Sequence, residues 1–294
     1  DSLTGFTSVI RFGERFSGNR LAEVNALPVH TYADSFGYDG QFYAQMALHP
    51  GVDDDAIRGA MDNPGYRFRR ILPSWLAAVA GLNDPWITLN AYALLNLVFW
   101  LLTALLLLHW LPPVSIGNFA RWTACLYGVG TISSLQLALL DLPAAFFVLL
   151  AVFLVEKGRD KWGAISLAAA ILTRESSVIS LTMRLQFKTL RSWLSELPGL
   201  AAFSLIAILP FALWTVYLFL HVSPFSSGSA SNFALPLSGY AGELREAFEY
   251  LMRGRLFNTY AVTGLTVQIA TLVLLRDFRS TLWRTAISYV VLAL

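Results

Sequence analysis

The sequence has 294 residues, of which 56% are hydrophobic and 14% charged, against about 25% charged in a soluble domain. With a mean hydropathy of +0.56, this composition excludes a soluble globule and a disordered chain and points to an integral membrane protein. The 21 basic and 19 acidic residues give no sign of nucleic-acid binding, and the lone Cys125 excludes an intramolecular disulfide or a cysteine-based zinc site.

Residues 1–86 read as one large outer loop. Asp39 can cap a short helix from Gly40 to Leu48, with Phe42, Tyr43 and Met46 on an apolar face and Pro50-Gly51 ending it. A second short helix follows Asp53-Asp54-Asp55, runs through Ile57 and Met61, and ends at Asn63-Pro64-Gly65. Arg67, Arg69 and Arg70 then lead into the apolar stretch Ile71–Leu82. Its 12 residues are too few for a helix to cross about 30 Å of hydrocarbon. The stretch is therefore expected to be a juxtamembrane or re-entrant helix with both ends on one side.

Charge-free runs follow at Ile87–Leu111, Trp122–Leu140, Leu142–Val155, Trp162–Thr173, Leu197–Val222 and Thr259–Leu275, with a last run after Arg284. Leu142–Val155 is short for a crossing. So is Trp162–Thr173, unless it continues through Arg174 and Glu175 towards Thr182. Cys125, inside an apolar run, is expected to be a small buried side chain. The loops Glu156–Lys161, Arg184–Trp193 and Arg276–Arg284 have a basic excess, and the positive-inside rule puts them in the cytoplasm. Asp141, the loop 223–258 and everything before Ile87 then fall outside. Within 223–258, the segment Glu243–Leu256 has the spacing of an interfacial amphipathic helix.

The expected fold is all-α: a polytopic transmembrane helix bundle in one domain. It comprises the outer loop 1–86 with its juxtamembrane helices, a bundle over 87–222, the second outer loop 223–258, and further helices over 259–294. The last run is shorter than a full crossing, so the chain reads as part of a longer protein, with a further helix expected before Asp1. No internal repeat is visible, which weakens an inverted-repeat transporter.

Four clusters could carry chemistry. In Tyr38-Asp39-Gly40-Gln41-Phe42-Tyr43, the carboxylate is either a helix cap or a general base beside lipid head groups. Asp141-Leu142-Pro143 lies between two apolar runs, where a mid-membrane acid would cost about 2.5–3.5 kcal/mol; it too is either a cap or a site residue at the outer end of its helix. Arg174 and Glu175 close a charge-free run, as a buried ion pair with another helix or as an anion-binding arginine oriented by an acid. Arg67, Arg69 and Arg70, interleaved with aromatics, either snorkel to head groups or hold a lipid phosphate. His30, His49, His109 and His221 lack metal-ligand spacing. A divalent metal stays open as a cofactor, without support from ligand spacing. There is no GxSxG, P-loop or HExxH motif.

Four motifs, YDGQFY (38–43), YRFRRILP (66–73), DLP (141–143) and LTRE (172–175), in this order, resemble the GT-C superfamily of membrane glycosyltransferases. The nearer likeness is to bacterial proteins related to the GPI-mannosyltransferase and protein-mannosyltransferase branches. The likeness covers most of Gly37–Ser176 and is only one of hydropathy downstream. It implies an inverting transfer of a sugar from a polyprenyl-phosphate donor to a glycan, lipid or protein acceptor at the outer face of the bacterial cytoplasmic membrane. Asp39 and Asp141 would then be the catalytic acids, and Arg174 with Arg67, Arg69 and Arg70 the lipid-phosphate ligands. Tyr38, Gln41, Tyr43 and Glu175 would orient substrate. Two features depart from the family pattern: Gly40 stands where many members have a second acid, and Ala144 follows Asp-Leu-Pro where an acid is expected. The alternatives are a non-catalytic GT-C-like subunit of a membrane complex and a lipid or solute transporter.

Overall fold

In the computed structural model, 73% of residues are helical and 2% are strand, as an all-α chain requires. It describes residues 3–185, 190–222, 238–253 and 280–293, with isolated positions between 264 and 277. The expected span Thr259–Leu275 and the stretch 223–237 of the second loop lie almost wholly outside the described residues.

Residues 3–82 form a packed layer with its own core. Helices α1 (Ala22–Asn25), α2 (Gly40–Met46), α3 (Asp55–Gly59), α4 (Pro64–Arg67) and α5 (Leu72–Gly81) surround a short parallel ribbon, β1 (Phe12–Gly13) with β2 (Thr31–Tyr32). Ile10, Phe12, Val24, Met46, Ile57 and Phe68 are fully buried in this core. Two of the helices start on side-chain caps. Asp54 accepts from the Ala56 amide and Asn63 from the Tyr66 amide, each in the extended conformation that capping needs. The juxtamembrane stretch is the ten-residue α5. It lies in this layer, with Ser74 Oγ donating to the Tyr43 carbonyl at 2.8 Å.

Beneath the layer, α6 (Pro85–Leu107) and α11 (Leu190–His221) are the long helices. Two described helices are long and apolar enough to cross a membrane: α6, and residues Glu196–His221 of α11. Only 33% of the α6 window and 22% of the α11 window is buried within the chain, so a soluble core does not account for their composition. Leu101 and Leu105 on α6, and Leu213, Phe219 and Leu220 on α11, form part of an apolar outer face.

The other bundle elements are α7 (Ile116–Leu126), α8 (Val129–Leu137), α9 (Asp141–Glu156), α10 (Asp160–Thr173) and a 3-10 segment, Glu175–Arg184. They are followed by α12 (Ser238–Met252) and α13 (Thr281–Ala293). The run Trp122–Leu140, expected as one span, is broken between α7 and α8. Gly128 is extended there, and Thr131 Oγ1 donates to the Cys125 carbonyl across the break, an example of hydroxyls competing with the helix ladder. Cys125 is exposed on α7 rather than buried. The amphipathic helix expected over Glu243–Leu256 is α12, which starts five residues earlier; its Phe248 and Met252 are exposed.

The bundle has two distinct ends. At the end away from the N-terminal layer, Arg184 pairs with Asp160 at 3.0 Å and the Trp110 indole donates to Glu156 at 2.9 Å. At the layer end, the Trp214 indole donates to the Phe68 carbonyl at 2.7 Å and Tyr217 Oη to the Gly51 carbonyl at 3.0 Å. The sequence puts the Glu156 and Arg184 loops on the same side with one apolar run between them, so the chain must return. The 3-10 segment supplies the return: ten residues at about 2.0 Å each cover roughly 20 Å from Glu175 back to Arg184. Arg284, expected in a loop, is instead a buried residue of α13 and donates to the Met183 carbonyl at 2.8 Å.

Candidate functional site

The four motifs of the sequence meet at the junction between the N-terminal layer and the bundle. Asp39 occupies the cap position of α2 but makes no capping bond. Its φ of −52° and ψ of −35° are already helical, and from there the carboxylate cannot turn back to the first amides. The expected cap is absent, and the side chain reaches Arg67 instead.

Arg67 has a side chain only 7% exposed. Its Nη1 lies 2.7 Å from Asp39 Oδ2, and its Nη2 donates to Asp39 Oδ1 at 2.9 Å. Along its other edge, Nε donates to Asp62 Oδ1 at 2.9 Å and Nη2 to Asp62 Oδ2 at 2.7 Å. A weaker bond, 3.3 Å, runs from Nη1 to Tyr43 Oη. Four N–H groups of the guanidinium therefore donate hydrogen bonds, and Nη1 is also in ion-pair contact with Asp39. The rings of Phe42, Tyr43 and Tyr66 stand 4.8, 5.4 and 5.3 Å from its centre. Burial works against the charged forms here. The hydrogen bonds and charge of Arg67 outweigh it at Asp62, whose carboxyl is held below the usual range. The bonds from Asp62 and Asp39 likewise hold Arg67 protonated.

Arg70 makes a second fork, to Glu175, with Nε–Oε2 at 2.7 Å and Nη2–Oε1 at 2.9 Å. It lies 4.0 Å over the Tyr66 ring and donates to Tyr43 Oη at 3.4 Å. Tyr43 thus accepts from two arginines. Burial pushes its phenol up, against the pull of the Arg70 and Arg67 charges, so the hydroxyl stays neutral and keeps a proton to donate.

Asp141 and Arg174 form the third pair. Asp141 is the first residue of α9 rather than its cap. Ser134 Oγ, on α8, accepts from the Leu142 amide at 3.1 Å, and Asn96 Nδ2 on α6 donates to the Leu139 carbonyl at 2.9 Å. This support from neighbouring helices starts α9 and leaves the Asp141 carboxylate for Arg174. Arg174 ends α10 in an extended conformation, which turns its side chain out of the helix and begins the 3-10 segment.

Two cavities meet at this third pair. A polar one of about 170 Å³ is lined by Tyr38, Asp39, Tyr43, Tyr66, Arg70, Asp141 and Arg174, among others. The other, of about 650 Å³, is mainly apolar and runs between α9, the 3-10 segment and α13, with Val148, Leu149 and Val152 on one wall and Leu282 and Tyr289 on the opposite one. Among the described residues, only Asp141 and Arg174 line both.

Most of the residues singled out from sequence converge here, and two do not. Gln41 is buried on the far side of α2, where its amide accepts from the Gly13 amide and donates to the Phe36 carbonyl. Arg69 lines neither cavity, and its Nε donates to the Gly65 carbonyl at 2.8 Å. Arg67 reaches the site through Asp39, not as an open cation, because it is buried and paired with two acids. Asp62 lies outside every cluster read from the sequence, and Tyr66 stands in one of them without a role of its own. The one signal for Asp62 is an acid five residues before an arginine, across an Asn-Pro turn. Among the described residues no three His, Cys, Asp or Glu side chains converge to hold a metal.

The structure also accounts for Gly40. A Cβ there would lie 2.7 Å from the Leu137 carbonyl oxygen and 3.0 Å from that of Ile10. The backbone beside Asp39 packs directly on the turn that precedes Asp141, so no second acid fits.

No protein-family model, curated protein or solved structure matches this chain. The resemblance therefore rests on the motif residues themselves.

Proposed function

We propose that this chain is a polytopic membrane glycosyltransferase of GT-C type. It would transfer a sugar with inversion from a polyprenyl phosphate to an acceptor on the outer side of a bacterial cytoplasmic membrane. The observation that carries the reading is the junction of the two cavities. An apolar groove suited to a prenyl chain opens, at one Asp–Arg pair, onto a polar pocket holding a fixed carboxylate. A lipid-phosphate sugar has the same sequence of chemistries along its length.

In this reading the prenyl tail lies along α9, and the phosphate exchanges for Asp141 on Arg174. The sugar enters the polar cavity, where the freed Asp141 and Tyr43 Oη orient it. The acceptor oxygen attacks the anomeric carbon from the face opposite the phosphate. Its O–H proton passes to Asp39, and the C–O bond to phosphate breaks with its electron pair going to the departing polyprenyl phosphate. Arg174 and the spare N–H groups of Arg70 meet the charge that develops on that phosphate. Lys157, Arg159, Lys161 and Arg184 gather at the opposite end of the bundle, which the positive-inside rule assigns to the cytoplasm.

The closed ion pairs favour a second reading, a non-catalytic subunit whose Asp39 serves only to hold the layer together. The two separate with the protein in nanodiscs and a panel of undecaprenyl-phosphate-linked hexoses and pentoses. Asp39→Asn should lower transfer by roughly 10²–10⁴-fold, and Arg174→Ala should weaken binding of undecaprenyl phosphate itself. Transfer by Asp39→Asn at the wild-type rate would remove Asp39 as the base.

A further inference from the structure

We propose that Asp62, which lies outside every motif of the resemblance, is the positioning residue for Asp39 and acts through their shared guanidinium, Arg67. For what Asp39 does, this rests on the glycosyltransferase reading; the linkage between the two acids rests on geometry alone.

The first observation is the division of Arg67. Its end-on edge, Nη1 and Nη2, serves Asp39, and its side-on edge, Nε and Nη2, serves Asp62. Arg70 and Arg174 are each paired with a single acid. The second is that Asp39 lacks local support. It makes no cap bond, and its side chain is 44% exposed, so among the described residues Arg67 alone fixes its direction. The third is that Arg67 cannot swing. It is enclosed by three aromatic rings, and Asp62 holds the edge that Asp39 does not use.

The charge balance makes Asp62 more than a strut. A carboxylate in an exclusive pair with a buried guanidinium gives up much of its capacity to take a proton. With two carboxylates on one guanidinium, one negative charge is in excess, and it is shared between Asp39 and Asp62. The other groups facing Asp39 do not supply it. Tyr38, Tyr43 and Tyr66 are phenols, Arg70 is balanced by Glu175, and Asp141 is balanced by Arg174 across the cavity. Asp62 thus lets Arg67 aim Asp39 without cancelling it.

The test is Asp62→Asn in the full chain in nanodiscs. The amide keeps the shape and still accepts from Arg67, but it removes the second negative charge. Asp39 is followed by infrared difference titration, with the Asp39→Asn variant identifying its carboxyl band. The midpoint of that band should fall by about one pH unit or more in Asp62→Asn, because a like charge has been removed. With a donor that turns over, the acid limb of kcat should move the same way and the plateau should drop, while KM for the donor stays near wild type. A midpoint that is unchanged or raised overturns the proposal. If Asp62→Asn does not fold, Asp62→Glu decides: it keeps the charge but displaces Arg67 from Asp39, so a midpoint at or above the wild-type value with a reduced kcat is expected, and a lowered midpoint or an unchanged kcat is contrary. Wild-type transfer by Asp39→Asn alongside the infrared shift would remove the enzymatic role and leave the linkage. Loss of transfer by Asp39→Asn without the shift would do the reverse.

Discussion

The ion pair between Arg70 and Glu175 joins residues 105 apart in sequence and ties the N-terminal layer to the bundle. Its two side chains are 11% and 27% exposed. Removing one partner of a buried pair costs about 3–5 kcal/mol. Glu175 has one wet side, and Arg70 keeps the Tyr66 face and the Tyr43 hydroxyl, so about 2–3 kcal/mol is expected for Glu175→Gln or Arg70→Met. Replacing both, as Arg70→Met with Glu175→Leu, leaves no orphaned charge and should fall within about 1 kcal/mol of wild type. The coupling energy would then be about 3 kcal/mol or more. The assay is thermal unfolding in detergent micelles followed by tryptophan fluorescence. Trp75, in the layer, and Trp214, on α11, stand 4.9 Å apart and report the separation of the two parts. A double variant as unstable as the sum of the singles would refute the idea that the cost lies in the unpaired charge.

Gly40→Ala should destabilise by about 1–3 kcal/mol, because both atoms that the new methyl meets are backbone carbonyls that cannot rotate away; a wild-type melting temperature would show that the contact is looser than described. In a Cys125→Ser background, Phe36→Cys and Asn83→Cys should react with an impermeant maleimide on intact cells. Gly158→Cys should react only after permeabilisation, and the reverse pattern would invert the orientation.

Periodicity and charge made the elements legible, but not their partners. Helices α2, α3, α5, α6, α9 and α10 lie where apolar spacing and Asp, Asn, Pro or Gly punctuation place them, since these signals act within a few residues. The break at Gly128 is not legible because a hydropathy window averages over a single extended residue and the Thr131 hydroxyl. The return segment Glu175–Arg184 was only half visible. Its residues are not apolar enough to read as a span, yet the placement of two basic loops on one side demands it. The arginine cluster was legible as a cluster. That Arg67 is spent on two acids, while Arg70 takes a third from another part of the chain, depends on separations of 28 and 105 residues, beyond any local rule.

The acids at helix starts show what separates a capping carboxylate from one left free to pair elsewhere. Asp54 and Asp84 are extended, at ψ of 141° and 117°, and accept from the amides of Ala56 and Ile87. Asp39 and Asp141 stand at equivalent places in the sequence, and neither caps. At Asp39 the chain is already helical, because Gly40 lets the backbone press against the turn after α8. At Asp141 the helix begins one residue earlier, because Ser134 takes the amide that a cap would have taken. In both cases a neighbouring element does the local work, and the carboxylate is left to meet an arginine across the polar cavity. Composition and spacing are the same in the two classes. The difference lies in a backbone angle set by packing from distant segments, which is why the sequence alone leaves both cap and catalytic acid open.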